Sequence, residues 1–149
     1  MRTAAFAVLL LAVAGCDAIG ASGGVDLGSS VAVDSRAALV DARDRWRDSG
    51  PEAYRMRYAV TCFCAPTTVD VTVEDGRIVA SETDGGALAV LDVDGLYAEA
   101  LRAYDRGAAR VDVRVTEGES PVPVEVFIDA DVVVADEEVG YRVLSFEAR

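Results

Sequence analysis

YRMRYAVTCFCAPTTVDVTVEDGRI, residues 54–78, decides the fold. Its apolar positions alternate: Tyr54, Met56, Tyr58, Val60 and Cys62 share one face, then Val69, Val71 and Val73 another. Period two is the mark of a strand with one buried side. Asp75-Gly76 between two such runs predicts a tight hairpin, because both central positions of a type I′ turn need positive φ. The same alternation returns at Val111, Val113 and Val115, and at Val124, Val126 and Ile128. Residues 117–121 supply a looser hairpin loop, and a last strand covers 141–147. Two helices interrupt the strands. One spans 35–49, capped by Asp34 or Ser35, with Leu39, Ala42 and Trp46 on one face and Gly50-Pro51 at its end. The other spans 95–106, with Asp94 as cap, Leu96, Ala100, Leu101 and Tyr104 as its apolar face, and Gly107 as its stop. The expected class is α+β: an antiparallel sheet with both helices on one face. The order of elements suggests a duplicated α-β-β-β unit.

Outward from this core, the first sixteen residues speak of location. Arg2 precedes an unbroken apolar run at 4–13, and Val13-Ala14-Gly15-Cys16 reads as a lipobox. A spanning helix needs about 20 apolar residues, and this run is shorter. Cleavage before Cys16 would leave diacylglycerol on its sulfur and an acyl group on its amine. Ala12-Val13-Ala14 also fits ordinary secretion, which would leave Cys16 a free thiol. The expected organisation is a signal peptide at 1–15, a lipidated Cys16 and flexible Gly/Ser tether over 16–33, and one domain over 34–149. The place implied is the cell envelope, facing the periplasm or the exterior.

Composition narrows the chemistry. The 14 basic residues are all arginine, set against 26 acids and no histidine. Without histidine or lysine there is no Ser-His-Asp or Cys-His triad, no histidine zinc ligand and no Schiff base. The net charge of −12 opposes binding to nucleic acid. No cofactor fingerprint stands out, and an enzyme is the less favoured class.

Cys62-Phe63-Cys64 is the sharpest feature of the domain. In a regular strand the two Cα atoms would lie near the disulfide limit of about 6.8 Å, so closing the bond needs a bulge or a turn. An oxidising compartment makes a structural disulfide the favoured state. Thiol exchange, or a soft metal held by the two sulfurs, are the functional alternatives. Asp129, Asp131, Asp136, Glu137 and Glu138 surround Val132-Val133-Val134 and form an acidic cluster: a solvated loop foremost, a weak divalent-cation site second. Asp92-Val93-Asp94-Gly95 is a poor fragment of a calcium loop. Trp46, Tyr54, Tyr58 and Tyr104 could line a carbohydrate cleft, but at helix and strand spacing they read as core. Arg55 and Arg57, with Phe63 and Phe127, fall opposite the apolar rows and would mark an open sheet face.

These residues resemble domain-of-unknown-function family 6174 (DUF6174). The likeness rests on Arg45-Trp46, Tyr54 and Tyr58, Cys62-Phe63-Cys64, residues 73–78, the acidic segment 136–141 and the final strand. It covers nearly all of residues 40–147. The family pattern places proline directly after the second cysteine, whereas Ala65 intervenes here before Pro66. The resemblance implies a predicted lipoprotein with this fold, and it implies no activity. The function expected is a membrane-anchored, non-catalytic binding or assembly module. It would meet the membrane through its lipid and, as partner, a protein of the envelope. A thiol redox or soft-metal protein using Cys62 and Cys64 is the alternative.

Overall fold

A computed structural model describes residues 24, 27–86, 89–134 and 136–149. Seven strands form one antiparallel sheet: β1 (Ser30–Val33), β2 (Tyr54–Thr61), β3 (Thr67–Glu74), β4 (Arg77–Thr83), β5 (Arg110–Thr116), β6 (Pro123–Asp129) and β7 (Val139–Ala148). They lie in the order β1-β5-β6-β7-β2-β3-β4. Helices α1 (Arg36–Ser49) and α2 (Val93–Arg106) each precede a three-strand meander. This order repeats, but a duplication is a further claim that element order alone does not establish. The meanders join where β2 pairs with β7, from Tyr54 opposite Ala148 to Thr61 opposite Gly140.

Burial follows the alternation. Along β2, Tyr54, Met56, Tyr58 and Val60 are buried while Arg55, Arg57 and Thr61 are exposed. The buried side meets Leu39, Ala42 and Trp46 of α1 and Leu96, Tyr97, Ala100 and Leu101 of α2 in one core. In the β3–β4 turn both Asp75 (φ 50°) and Gly76 (φ 66°) are left-handed, as the hairpin requires. The edges differ in kind: β1 has four residues, and β4 is exposed throughout with a register shift against β3. Short and bulged edges resist unwanted pairing.

Three expectations need correction. Residues 30–33 are not coil: β1 pairs with β5, and the Arg114 guanidinium donates to the Ser30 carbonyl at 2.7 Å. Helix α2 starts at Val93, and its cap is Asp92, whose Oδ1 accepts from the Gly95 N–H at 2.7 Å. Asp94 lies inside the first turn and pairs with Arg47 at 2.6 Å. The reason is packing, because Val93 is fully buried and its N–H donates to the Tyr54 hydroxyl at 3.1 Å. Tyr97 joins the apolar face, whereas Tyr104 is only half-buried. The last strand begins two residues earlier than expected, at Val139.

Tyr54 and Tyr58 hold the chain leading into α2, and Tyr97 ties α2 itself to the loop after β5. Tyr58 accepts from the Leu91 N–H at 2.9 Å, and Tyr97 donates to the Pro121 carbonyl at 2.8 Å. Burial raises the pKa of Tyr54, Tyr58 and Tyr97 above the ordinary tyrosine value. A folded-state pKa above the unfolded one gives stability that is whole below the unfolded value and lost as pH climbs through the folded one. Urea unfolding should therefore show stability level up to about pH 9 and falling above about pH 10. The ultraviolet signal of tyrosinate should rise together with unfolding; a rise well before unfolding would contradict this.

Candidate functional site

Two surfaces stand outside the helix-covered core: the open face of the sheet and the end of the sheet where β2 stops. On the open face, side chains of one parity line up across strands. Arg114, Glu125 and Arg142 are in register over β5, β6 and β7, with Arg142 and Glu125 paired at 3.1 Å. Ser145, Arg57, Asp70 and Glu82 make a second row over β7, β2, β3 and β4, with Arg57 and Asp70 paired at 3.3 Å. Arg55 lies between Glu147 and Thr72. Cross-strand opposite charges favour the pairing, but exposed pairs add little stability. The face is shaped as well as charged. A hollow of about 550 Å³ surrounds Arg55, Arg57, Thr72, Ser81 and Ser145. Another of about 590 Å³ surrounds Arg110, Asp112, Arg114, Glu125 and Phe127, where the Arg110 guanidinium lies 5.3 Å from the Phe127 ring centre. The sequence places Arg55, Arg57, Phe63 and Phe127 on this face; Phe63 lies instead in the loop past the end of β2, and Arg110, Arg114 and Arg142 join the others here without having been expected. The signal for Arg110 and Arg114 was the charged parity opposite Val111, Val113 and Val115, and for Arg142 its place beside buried Val143 in the last strand.

At the sheet end, β2 stops at Thr61 and the chain turns. Cys62 and Cys64 are joined by a disulfide, with Cα atoms 5.0 Å apart. The turn supplies the closure that a regular strand would deny. Phe63 between them is 79% exposed. The loop from β6 to β7 reaches the same end, so Cys62, Phe63, Phe127, Asp136 and Glu138 line one hollow of about 280 Å³. A side chain at position 140 would bring its Cβ 2.6 Å from Thr61 Oγ1, so glycine lets the ends of β2 and β7 pair closely.

The acidic residues are spread. Asp129 closes β6 and is buried, with its Oδ1 lacking a hydrogen-bond partner. The Asp131 Oδ1 accepts from the Val133 N–H at 3.0 Å. Asp136 is left-handed, with φ 80°, and Glu137 and Glu138 are exposed. Among the described residues no three Asp, Glu or Cys side chains come together as a metal-ion ligand set. Trp46, Tyr54 and Tyr58 are core residues, not a cleft. Cys16 lies outside the described residues. No described helix is long and apolar enough to cross a membrane.

The disulfide encloses a single residue, so it removes little entropy from the unfolded chain. Replacing both Cys62 and Cys64 with serine should cost less than about 1 kcal/mol, or a few degrees of melting temperature. A thermal melt of the double variant checks this. A loss several times larger would make the bond a structural brace of the fold.

A family model described as a family of unknown function (DUF6174) matches residues 38–148. No curated protein matches the chain, and no solved structure does.

Proposed function

From the premise that this chain belongs to DUF6174, a family of unknown function, we propose that it is a membrane-tethered, non-catalytic binding module of the cell envelope that offers the open face of its sheet to a protein partner. One observation carries the reading: both helices cover the same face, and the other is left as a continuous charged surface with two hollows. A strand side that must be wet can be any polar residue. Here it carries arginine and carboxylate in registered rows, a pattern that complementary charge on a partner could read. The lipobox at 13–16 supports the tether, and confinement at a membrane raises the effective concentration of neighbours. The absence of histidine and lysine removes the commonest nucleophile and base arrangements.

A photo-reactive residue placed at position 57 or 72 on the open face tests this, with position 48 on the exposed side of α1 as control. Adducts in intact membranes from 57 and 72, and none from 48, are expected. Equal yields from all three, or none, would reject the open face as the binding surface.

The exposed position of the Cys62–Cys64 bond supports a second reading, thiol exchange. An external dithiol would reduce the bond to two thiols and itself become a disulfide, and the freed pair could then hold a soft metal. Intact mass after mild reductant is the test: a gain of two hydrogens favours exchange, and an unchanged mass favours a static bond.

A further inference from the structure

Val132 and Val133 are 72% and 87% exposed, Val134 is 42% exposed, and Phe63 is 79% exposed. Phe63 follows the end of β2 and the valines follow β6, so both lie at the same end of the sheet, in a chain with net charge −12. The valines are not there for folding. The Val134 N–H donates to the Asp131 carbonyl at 2.9 Å, so Val132 and Val133 occupy the two central positions of a β-turn. Turns draw Gly, Asn, Asp and Pro to those positions, whereas valine favours strands. Here valine gains neither local preference nor burial, and such a conflict between levels marks a functional position. The loops are also held in shape. The disulfide braces Phe63, the Asp131 side chain braces the turn, and Thr67 Oγ1 donates to the Ala65 carbonyl at 3.0 Å. Display in a fixed shape lowers the ordering cost of binding.

We infer that this tip docks into an apolar socket, rimmed by arginine or lysine, on a partner protein. The rim follows from charge: residues 130–138 carry Asp131, Asp136, Glu137 and Glu138 and no base. Those four carboxylates repel a second copy of this chain and an anionic bilayer alike. Position agrees. Gly24, from which the chain leads back to Cys16, bridges to Glu147 near the end of β7, whereas the tip lies beyond its start at Val139. Ten residues of strand put the two ends about 30 Å apart. The tip therefore lies at the opposite end of the sheet from Gly24. It adjoins the open face at Phe127, which lines a hollow on each, and the inference rests on the tether reading only in taking that far end to face the partner.

The experiment places a photo-reactive residue at 63 or 133 of the full chain in intact cells of its own host. Both positions should yield the same protein adduct. V132S with V133S, two exposed changes, should lower the yield from position 63 by about tenfold. Washing isolated membranes in about 0.5 M salt before irradiation should also reduce it. Adducts to a second copy, adducts to lipid, no adduct above that from position 48, or a yield indifferent to both salt and substitution would each overturn the inference. Should the serine variant melt early, the salt arm on the unsubstituted turn still decides. Adducts from 57 and 72 without any from 63 or 133 would sink this inference and leave the open-face reading standing; the converse would do the reverse.

Discussion

Replacing Cys16 with serine is expected to move the protein from the membrane fraction to the soluble fraction, changing the ratio by more than about tenfold. The reasoning is one of missing alternatives. Each buried CH₂ of an acyl chain contributes about 0.8 kcal/mol, and two or more chains make anchoring stable. After cleavage before Cys16, 13 arginines face 26 acids, a net −13, since the leader removes Arg2 and no acid. Such a domain is repelled by an anionic bilayer rather than drawn to it. No described helix could cross one. The lipid would thus be the anchor, and its sulfur attachment has no substitute. Ultracentrifugal fractionation of cells, with intact mass of the unsubstituted protein to show the added lipid, checks the expectation. A serine variant that still sediments with membranes would refute the lipid anchor. A mature protein that starts one residue early, at Gly15, with a free Cys16 thiol would favour ordinary secretion.

Replacing Trp46 with alanine should produce the largest loss of stability from a single core change, about 3–5 kcal/mol. Trp46 is 4% exposed. Its ring stands edge-on to Tyr54 at 5.6 Å and to Phe146 at 5.8 Å, and those two stack at 4.9 Å. Tyr54 belongs to β2 and Phe146 to β7, so this helix residue sits on the seam between the two meanders. Removing it takes away buried area, leaves a cavity and loses two aromatic contacts worth about 0.5–1.5 kcal/mol each beyond area. Against a usual total of about 5–15 kcal/mol, the variant would be marginal. Urea unfolding should show it, with melting lowered by more than about 10 °C. Trp46→Phe should keep much of the stability. A loss under about 1 kcal/mol for alanine would mean that α1 is not docked as described.

The sequence by itself determined six of the seven strands, their faces, the Asp75-Gly76 turn, the first helix with its cap at Asp34 or Ser35, and the closeness of Cys62 to Cys64. Each is a local matter. Period-two alternation reports which side of a strand is buried, a two-residue turn reports its own backbone, and a missing lysine is read letter by letter. Where a weak local signal competed with packing, packing won. Residues 30–33, Ser-Val-Ala-Val behind a Gly/Ser stretch, became a strand because β5 offered an open edge and Arg114 a hydrogen bond. Asp92 took the cap from Asp94 because the core claimed Val93.

What only the tertiary structure decided is neighbourhood. Alternation does not say which strand lies beside which, since that is settled by long-range closure and by how the apolar faces fit. β2 lies beside β7, the most distant strand after it in the chain. That one pairing joins the meanders and makes the open face continuous. It also brings the loop at Cys62–Cys64 against the loop at 130–138. The candidate surfaces exist because of a pairing between residues from Thr61 and Gly140 to Tyr54 and Ala148, roughly eighty to ninety positions apart, and local residue patterns hold no record of such contacts.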